Sequence, residues 1–373
     1  MKNLKFKLLN FVYLAVAYFV LASLVVQPSV NLFIGTTVAA FVVGTVVSLA
    51  NPLSGALRSI QVEIWQNHIE EEIFKSNTFL RLSHSADDYV LNSKVVHIPQ
   101  SGGSGNVVKN RSTVPATVRK RTDTDIVYAL DEYTTDPVLI PHADTKELSY
   151  DKRDSVLRED MDKINQVIAE NTLFNWVESP AVGAYAASAL PAGKKIDTTG
   201  ADVAATAPSA TGTRKAATRN DLQTMQRVFM EENRWFEGKM NALIPPAMLV
   251  QMFPANDVVT ATYMNNVTEE ERRKGILFKA HGWNIYSRSS VLIVKADESI
   301  GAPGEAAAAT DDQAALFWYQ DAVEFAFGGV EAFEKMGDPQ FYGDVYSFLA
   351  RTGSRARRAG YEGVAVLKEG ETA

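Results

Sequence analysis

From Leu8 to Leu57 the chain runs for fifty residues without a charged side chain, so any fold it adopts must cover that stretch with protein or lipid. Two apolar runs, residues 8–26 and 32–50, flank Gln27-Pro28-Ser29-Val30-Asn31, whose Pro and Asn are turn residues. Each run would span roughly 28 Å as a helix, close to the ~30 Å hydrocarbon core of a bilayer. Small residues stand four apart at Gly35/Ala39 and Ala40/Gly44, which lets helices approach closely and makes these four the candidate packing residues of a helical hairpin. Lys2, Lys5 and Lys7 would keep the N-terminus on the cytoplasmic side, and a hairpin would return the rest of the chain to it. A cleaved signal peptide fits less well, because the first run exceeds a normal h-region and a second follows at once. Two readings stay open: insertion in a membrane through residues 8–50, or a buried scaffolding arm.

Beyond the arm the sequence is that of a water-compatible body, long enough for one large domain or two ordinary ones. There is no cysteine, which excludes disulfides, zinc-thiolate sites and thiol nucleophiles together. The whole chain carries a formal charge of −7, and the three lysines of the arm are its only charges before Arg58, so the body is more acidic still. That balance argues against a general nucleic-acid binder, which needs a basic footprint.

Residues 61–74 place Val62, Trp65, Ile69 and Phe74 among carboxylates and amides, predicting an amphipathic helix between arm and body. Short β-rich runs at residues 95–98 and 126–130 flank a polar tip containing Ser101-Gly102-Gly103-Ser104-Gly105 and then Lys109, Arg111, Arg119, Lys120 and Arg121, which predicts a long two-stranded excursion with a flexible basic end. The clearest helix covers residues 149–174, with Leu157, Met161, Ile164 and Ile168 forming one apolar stripe. Residues 181–217, rich in Ala, Gly, Thr, Ser and Pro, predict a loop or extended hairpin rather than a core element. Thr218-Arg219-Asn220-Asp221 resembles a capping box opening a helix with Leu222, Met225 and Phe229 on one face, although Asp stands where Glu or Gln is preferred. Strands are expected at residues 276–279, 283–286, 291–294 and 363–367, a small-residue loop at 301–309, a mostly apolar segment at 314–327, and an Arg-rich stretch with Arg351, Arg355, Arg357 and Arg358.

No catalytic constellation emerges. His68, His84, His97, His142 and His281 show no i, i+4 pair of the kind that builds a helical metal site. Phosphate-binding and dinucleotide-binding glycine motifs are missing, and Gly102-Gly103-Ser104-Gly105 also fails as a nucleophile elbow. Acidic clusters at Glu70-Glu71-Glu72 and Glu159-Asp160 read as solvated helix faces. The basic group of residues 109–121 has no interleaved aromatic, so an acidic neighbouring subunit is a better match for it than nucleic acid. Accordingly no catalytic residue, metal or cofactor is assigned.

The order of elements resembles the major capsid proteins of tailed bacteriophages, the Hong Kong 97 fold. Ala242-Leu243-Ile244-Pro245-Pro246 leading to Met248, Gly282-Trp283-Asn284-Ile285-Tyr286-Ser287, Asp321-Ala322-Val323-Glu324-Phe325-Ala326, Gly343-Asp344-Val345-Tyr346 and Arg357-Arg358-Ala359-Gly360-Tyr361-Glu362-Gly363-Val364 look, in that order, like the family's local patterns. The resemblance implies an α+β fold with peripheral and axial domains, a long E-loop and, here, an apolar helical arm. It divides the chain into a hydrophobic arm (1–57), a linking helix and N-arm (58–94), the E-loop (95–142), a peripheral domain with its spine helix (143–242), an axial domain (243–330) and closing strands (331–373). It further implies self-assembly as hexamers and pentamers of an icosahedral virion shell, around double-stranded DNA held without sequence specificity. Further implied partners are a portal and scaffold or decoration proteins, with Lys109, Arg111, Arg119, Lys120 and Arg121 as intersubunit contacts. The arm departs from the family, many of whose members carry a polar helical scaffolding segment that a phage protease removes. An encapsulin-like compartment shell and a two-span membrane-anchored scaffold protein are the competing expectations.

Overall fold

The computed structural model describes residues 77–372 apart from 91–94, 103–106, 113, 117, 119, 142–151, 183–184 and 339. The apolar runs with Gly35, Ala39, Ala40 and Gly44, and the expected helix at 61–74, therefore lie outside the described residues, as does Arg119. Among the described residues no helix is long and apolar enough to cross a membrane.

A seven-stranded sheet forms the centre, and its middle strand, Asp312–Tyr319, is buried along nearly its whole length. On one edge Asp312–Tyr319 pairs antiparallel with Met240–Ile244 and, further along, with Leu292–Val294; on the other edge it pairs antiparallel with Val364–Lys368. Trp283–Ser287 then adds parallel to Met240–Ile244, and Phe278–Ala280 adds outside it. Strands buried on both faces read as unbroken apolar text, which is why Ala314-Ala315-Leu316-Phe317-Trp318 and Val364-Ala365-Val366-Leu367 are legible as core.

Successive residues of the middle strand serve opposite faces. Ala315 and Phe317 pack with Leu222, Met225 and Phe229 of the helix Arg219–Glu231, and Phe317 meets Trp283 edge-on at 4.9 Å between ring centroids. Trp318 faces the other way and meets Trp176 of the long helix Lys152–Val177 at 5.4 Å, while its indole N–H donates to the Leu82 carbonyl at 2.9 Å. Trp318→Ala is expected to cost about 3–5 kcal/mol in chemical denaturation, because it opens a cavity between strand and helix and strands the Leu82 carbonyl. A loss below about 1 kcal/mol would show that the two layers do not depend on this ring.

A second, five-stranded sheet is built on a long hairpin, Val323–Asp338 against Gly343–Ala356. Gly343–Ala356 also pairs with Asp131–Thr134 and Val138–Pro141, and His84–Ser85 runs parallel beside Glu324 and Phe325. This hairpin defines two segments that the sequence left without an assigned element. The apolar segment at 314–327 is not one element, since a 3-10 turn at Gln320–Ala322 sends the chain from one sheet into the other. The Arg-rich stretch is a strand as far as Ala356; Arg351 is held across the sheet by Glu132 at 3.5 Å and Glu331 at 3.8 Å, so its polar text conceals paired β-structure.

The long helix runs three residues past the expected end, and Met161, Ile164 and Ile168 are buried as expected, joined toward the C-terminus by Ala169, Leu173 and Trp176. Within residues 181–217 the strands Asp202–Ala204 and Thr213–Lys215 form the expected hairpin. Lys195–Asp197, however, joins the central sheet parallel to Val366–Lys368, contrary to the loop expectation; three residues are too short to show a period. The capping box is present. Asp221 accepts from the Thr218 backbone N–H at 2.7 Å and hydroxyl at 2.9 Å, and from the Thr199 hydroxyl at 2.6 Å, so a short carboxylate serves here. Gly282 sits at φ +77, and a Cβ there would lie 2.6 Å from the Trp235 ring, so the turn into Trp283–Ser287 requires glycine.

Candidate assembly interface

The excursion predicted from sequence is a two-stranded antiparallel ribbon, Val95–Gln100 against Thr124–Ala129, with Val96 opposite Tyr128 and Ile98 opposite Ile126. Alternation buries Val96, Ile98, Ile126 and Tyr128 against Ala86, Leu130 and Ala326, so the root of the ribbon has its own small core.

Polar contacts then pin that root to the body. The Tyr128 hydroxyl donates to Glu324 Oε1 at 2.9 Å, and Arg357 Nε lies 3.0 Å from Glu324 Oε2. Burial, followed by the Glu324 charge, pushes the Tyr128 phenol far above its usual range, so it stays a donor. Gln100 donates to the Arg357 carbonyl at 2.7 Å, and Arg355 donates to the Val127 carbonyl and, at 3.0 Å, to Ser188 Oγ. On the outer side Asp125 accepts from Tyr185 at 3.1 Å and lies 2.9 Å from His97 Nδ1; these two hydrogen bonds hold its carboxyl below the ordinary range.

The tip is the opposite case. Lys109, Arg111 and Lys120 are exposed and have no ion-pair or hydrogen-bond partner among the described residues, while Val107 and Val118 are 97% and 95% exposed. Arg121 is engaged within its own loop, its guanidinium 2.7 Å from Asp123. The structure thus sets a hydrogen-bonded root beneath a tip whose described cations Lys109, Arg111 and Lys120 are exposed.

Sequence reasoning missed the root contacts. Glu324 and Arg357 both stand in patterns quoted above, but their meeting with Tyr128 spans 196 residues of chain and leaves no local spacing to read. Of the histidines, His84, His97 and His281 are dispersed, and His68 and His142 lie outside the described residues. No group of three or more His, Cys, Asp or Glu side chains is placed to hold a metal among the described residues.

By sequence the chain matches no family model and no curated protein. By structure it is similar to the capsid of Ralstonia phage GP4, with a TM-score of 0.56 and 13% identity over 78% of this chain and 88% of that one. The capsid of cyanophage P-SCSP1u gives 0.54 and 17% over 79% and 88%, and that of cyanophage Pam1 gives 0.53 and 10% over 77% and 88%. The chain has the phage-capsid fold of the Hong Kong 97 type. In this fold the central sheet draws Lys195–Asp197 and Val364–Lys368 from outside residues 243–330, so sheet membership and chain order do not coincide.

Proposed function

We propose that the chain is a major capsid protein whose copies close into an icosahedral shell around double-stranded DNA. The observation that carries this reading is the capsid fold together with an excursion whose tip residues Val107, Lys109, Arg111, Val118 and Lys120 are exposed among the described residues. Such a tip needs a second copy to cover it, and a contact between unlike patches repeated around a closed symmetry builds a shell. In this reading residues 95–142 are the E-loop, 143–242 the peripheral domain and 243–330 largely the axial domain. Lys109, Arg111, Arg119 and Lys120 face an acidic neighbour, and Arg121 joins them by exchanging Asp123. Hexamers and pentamers follow from an icosahedral shell, a portal follows from the resemblance to tailed phages, and packaged DNA is held without sequence specificity. The apolar arm with Gly35, Ala39, Ala40 and Gly44 is helical and buried in protein contacts.

The full chain, expressed and purified, is expected to elute as closed particles visible by negative-stain microscopy. A stable 40.9 kDa monomer at micromolar concentration would overturn the reading. Recovery of residues 8–50 in a membrane pellet without particles would favour the two-span scaffold instead, and particles that enclose protein cargo rather than nuclease-protected DNA would favour a compartment shell.

A further inference from the structure

Past Val177, the last residue of the long helix, the chain returns on itself. Glu178–Ser179 pairs antiparallel with Ser188–Ala189, and the Leu190 N–H donates to the Val177 carbonyl at 2.8 Å. The helix end is also fixed to the long hairpin, since the Trp176 indole N–H donates to the Glu324 carbonyl at 3.2 Å. Tyr185, three residues before the returning strand, reaches the ribbon, where its hydroxyl donates to Asp125 Oδ2 at 3.1 Å. That bond holds the Tyr185 phenol above its usual range, so it stays the donor.

Ser188 makes the second connection. Its hydroxyl accepts an Arg355 N–H at 3.0 Å, and the same guanidinium donates to the Val127 carbonyl of the ribbon. The Tyr361 hydroxyl braces Ser188 by donating to its carbonyl at 2.7 Å. These bonds close a circuit that leaves the ribbon at Asp125, passes through Tyr185, Ser188 and Arg355, and re-enters it at Val127.

The two arms of the circuit differ in strength. Arg355 is 7% exposed and forms no ion pair among the described residues, so its buried charge is satisfied by a carbonyl and a hydroxyl in a medium where such bonds are strong. The Tyr185–Asp125 bond is exposed and competes with water. The ladder and small core of the ribbon include no residue of 185–190, so the circuit is an addition to the ribbon and no part of its framework.

We propose that residues 185–190 are a clasp that couples the excursion to the C-terminal end of the long helix, with Ser188–Arg355 as the fixed arm and Tyr185–Asp125 as the arm that opens when the excursion moves. A displacement at either end biases the other, because both are bonded to the same short segment. The clasp lies within one subunit and does not depend on the shell reading.

The chain has no cysteine, so Thr124→Cys at the outer end of the ribbon and Arg227→Cys on the helix Arg219–Glu231, both exposed, take spin labels at these two sites alone. Labelled full chain is diluted with unlabelled chain so that each measured distance lies within one subunit. One narrow distance peak is expected from this pair, and a broadened or second peak once Tyr185→Phe and Ser188→Ala are added. In the same double variant without labels, amide exchange at Val127 and Tyr128 is expected to accelerate about 10-fold, while Ala315 and Phe317 of the central sheet stay within about 2-fold. Coupling is read from the opposite end. Asp125→Ala, a change on the ribbon, should speed exchange at Leu190, whose N–H closes onto the helix, and an unchanged rate there would remove the coupling. An unchanged distance peak with unchanged exchange at Val127 and Tyr128 would overturn the clasp. If the double variant does not fold, Tyr185→Phe alone, at a position 38% exposed, is read by the same two measurements, and no change in either overturns the proposal.

Discussion

Reversing Lys109, Arg111 and Lys120 to Glu is expected to leave the subunit folded and to lower particle yield at ordinary salt at least ~10-fold. These three side chains are exposed and have no partner among the described residues, so folding stability should stay within about 0.5 kcal/mol of the parent, as for ordinary surface changes. Assembly is another matter. The tip is a basic segment of an otherwise acidic chain, and reversal sets like charge against like wherever an acidic neighbour receives it. Circular dichroism and denaturation would confirm the folded subunit, and sedimentation would count particles. Raised salt should weaken assembly of the parent more than that of the variant, since screening acts on the attraction the variant has lost. A normal yield of particles from the triple reversal would remove the electrostatic contact from the proposed shell.

Glu324→Ala is expected to destabilise the subunit by about 3 kcal/mol and to loosen the root of the excursion. The side chain is 3% exposed, accepts from the Tyr128 hydroxyl and forms an ion pair with the Arg357 guanidinium. Removing one member of a buried pair costs about 3–5 kcal/mol because the other charge is left uncompensated. The low end applies here, since the Arg357 side chain retains 31% exposure and water reaches it. Urea denaturation measures the loss, and amide exchange at Val96, Ile98, Ile126 and Tyr128 should accelerate more than exchange in the central sheet. Tyr128→Phe should cost less in the Glu324→Ala background than in the parent, which a double-mutant cycle would read as coupling. A loss under about 1 kcal/mol with unchanged exchange would mean that the apolar contacts of Val96, Ile98 and Ala326 hold the root without the ion pair.

The two assembly elements differ in how they show in the sequence. Residues 107–121 are legible because a basic cluster without acids is a local property, visible in any window that contains it. The root contacts bring Tyr128, Glu324 and Arg357 together from three separate elements, and no spacing within any one of them announces it. The same contrast holds for the helices and strands. The stripe Met161, Ile164 and Ile168 and the capping box at Thr218 and Asp221 repeat at helical spacing, so a single window contains the whole signal. The partners of Gly343–Ala356 were not legible, because Arg351 and Arg355 look like surface text until Glu132, Glu331 and the Val127 carbonyl are brought beside them.

By itself the sequence determined what depends on neighbours along the chain: the fifty uncharged residues at the start, the long helix, the two-stranded excursion with its basic tip, and the doubly buried strands at 314–318 and 364–367. Only the tertiary structure decided what depends on partners distant in the chain. Its decisions include the break at Gln320–Ala322 that passes the chain between two sheets, the recruitment of Lys195–Asp197 to the central sheet, and the buried latch beneath the excursion. The physical reason is range. Hydrophobic period and capping act over a few residues, whereas strand pairing and buried ion pairs take their energy from groups that become neighbours only after the chain has closed loops of a hundred residues or more.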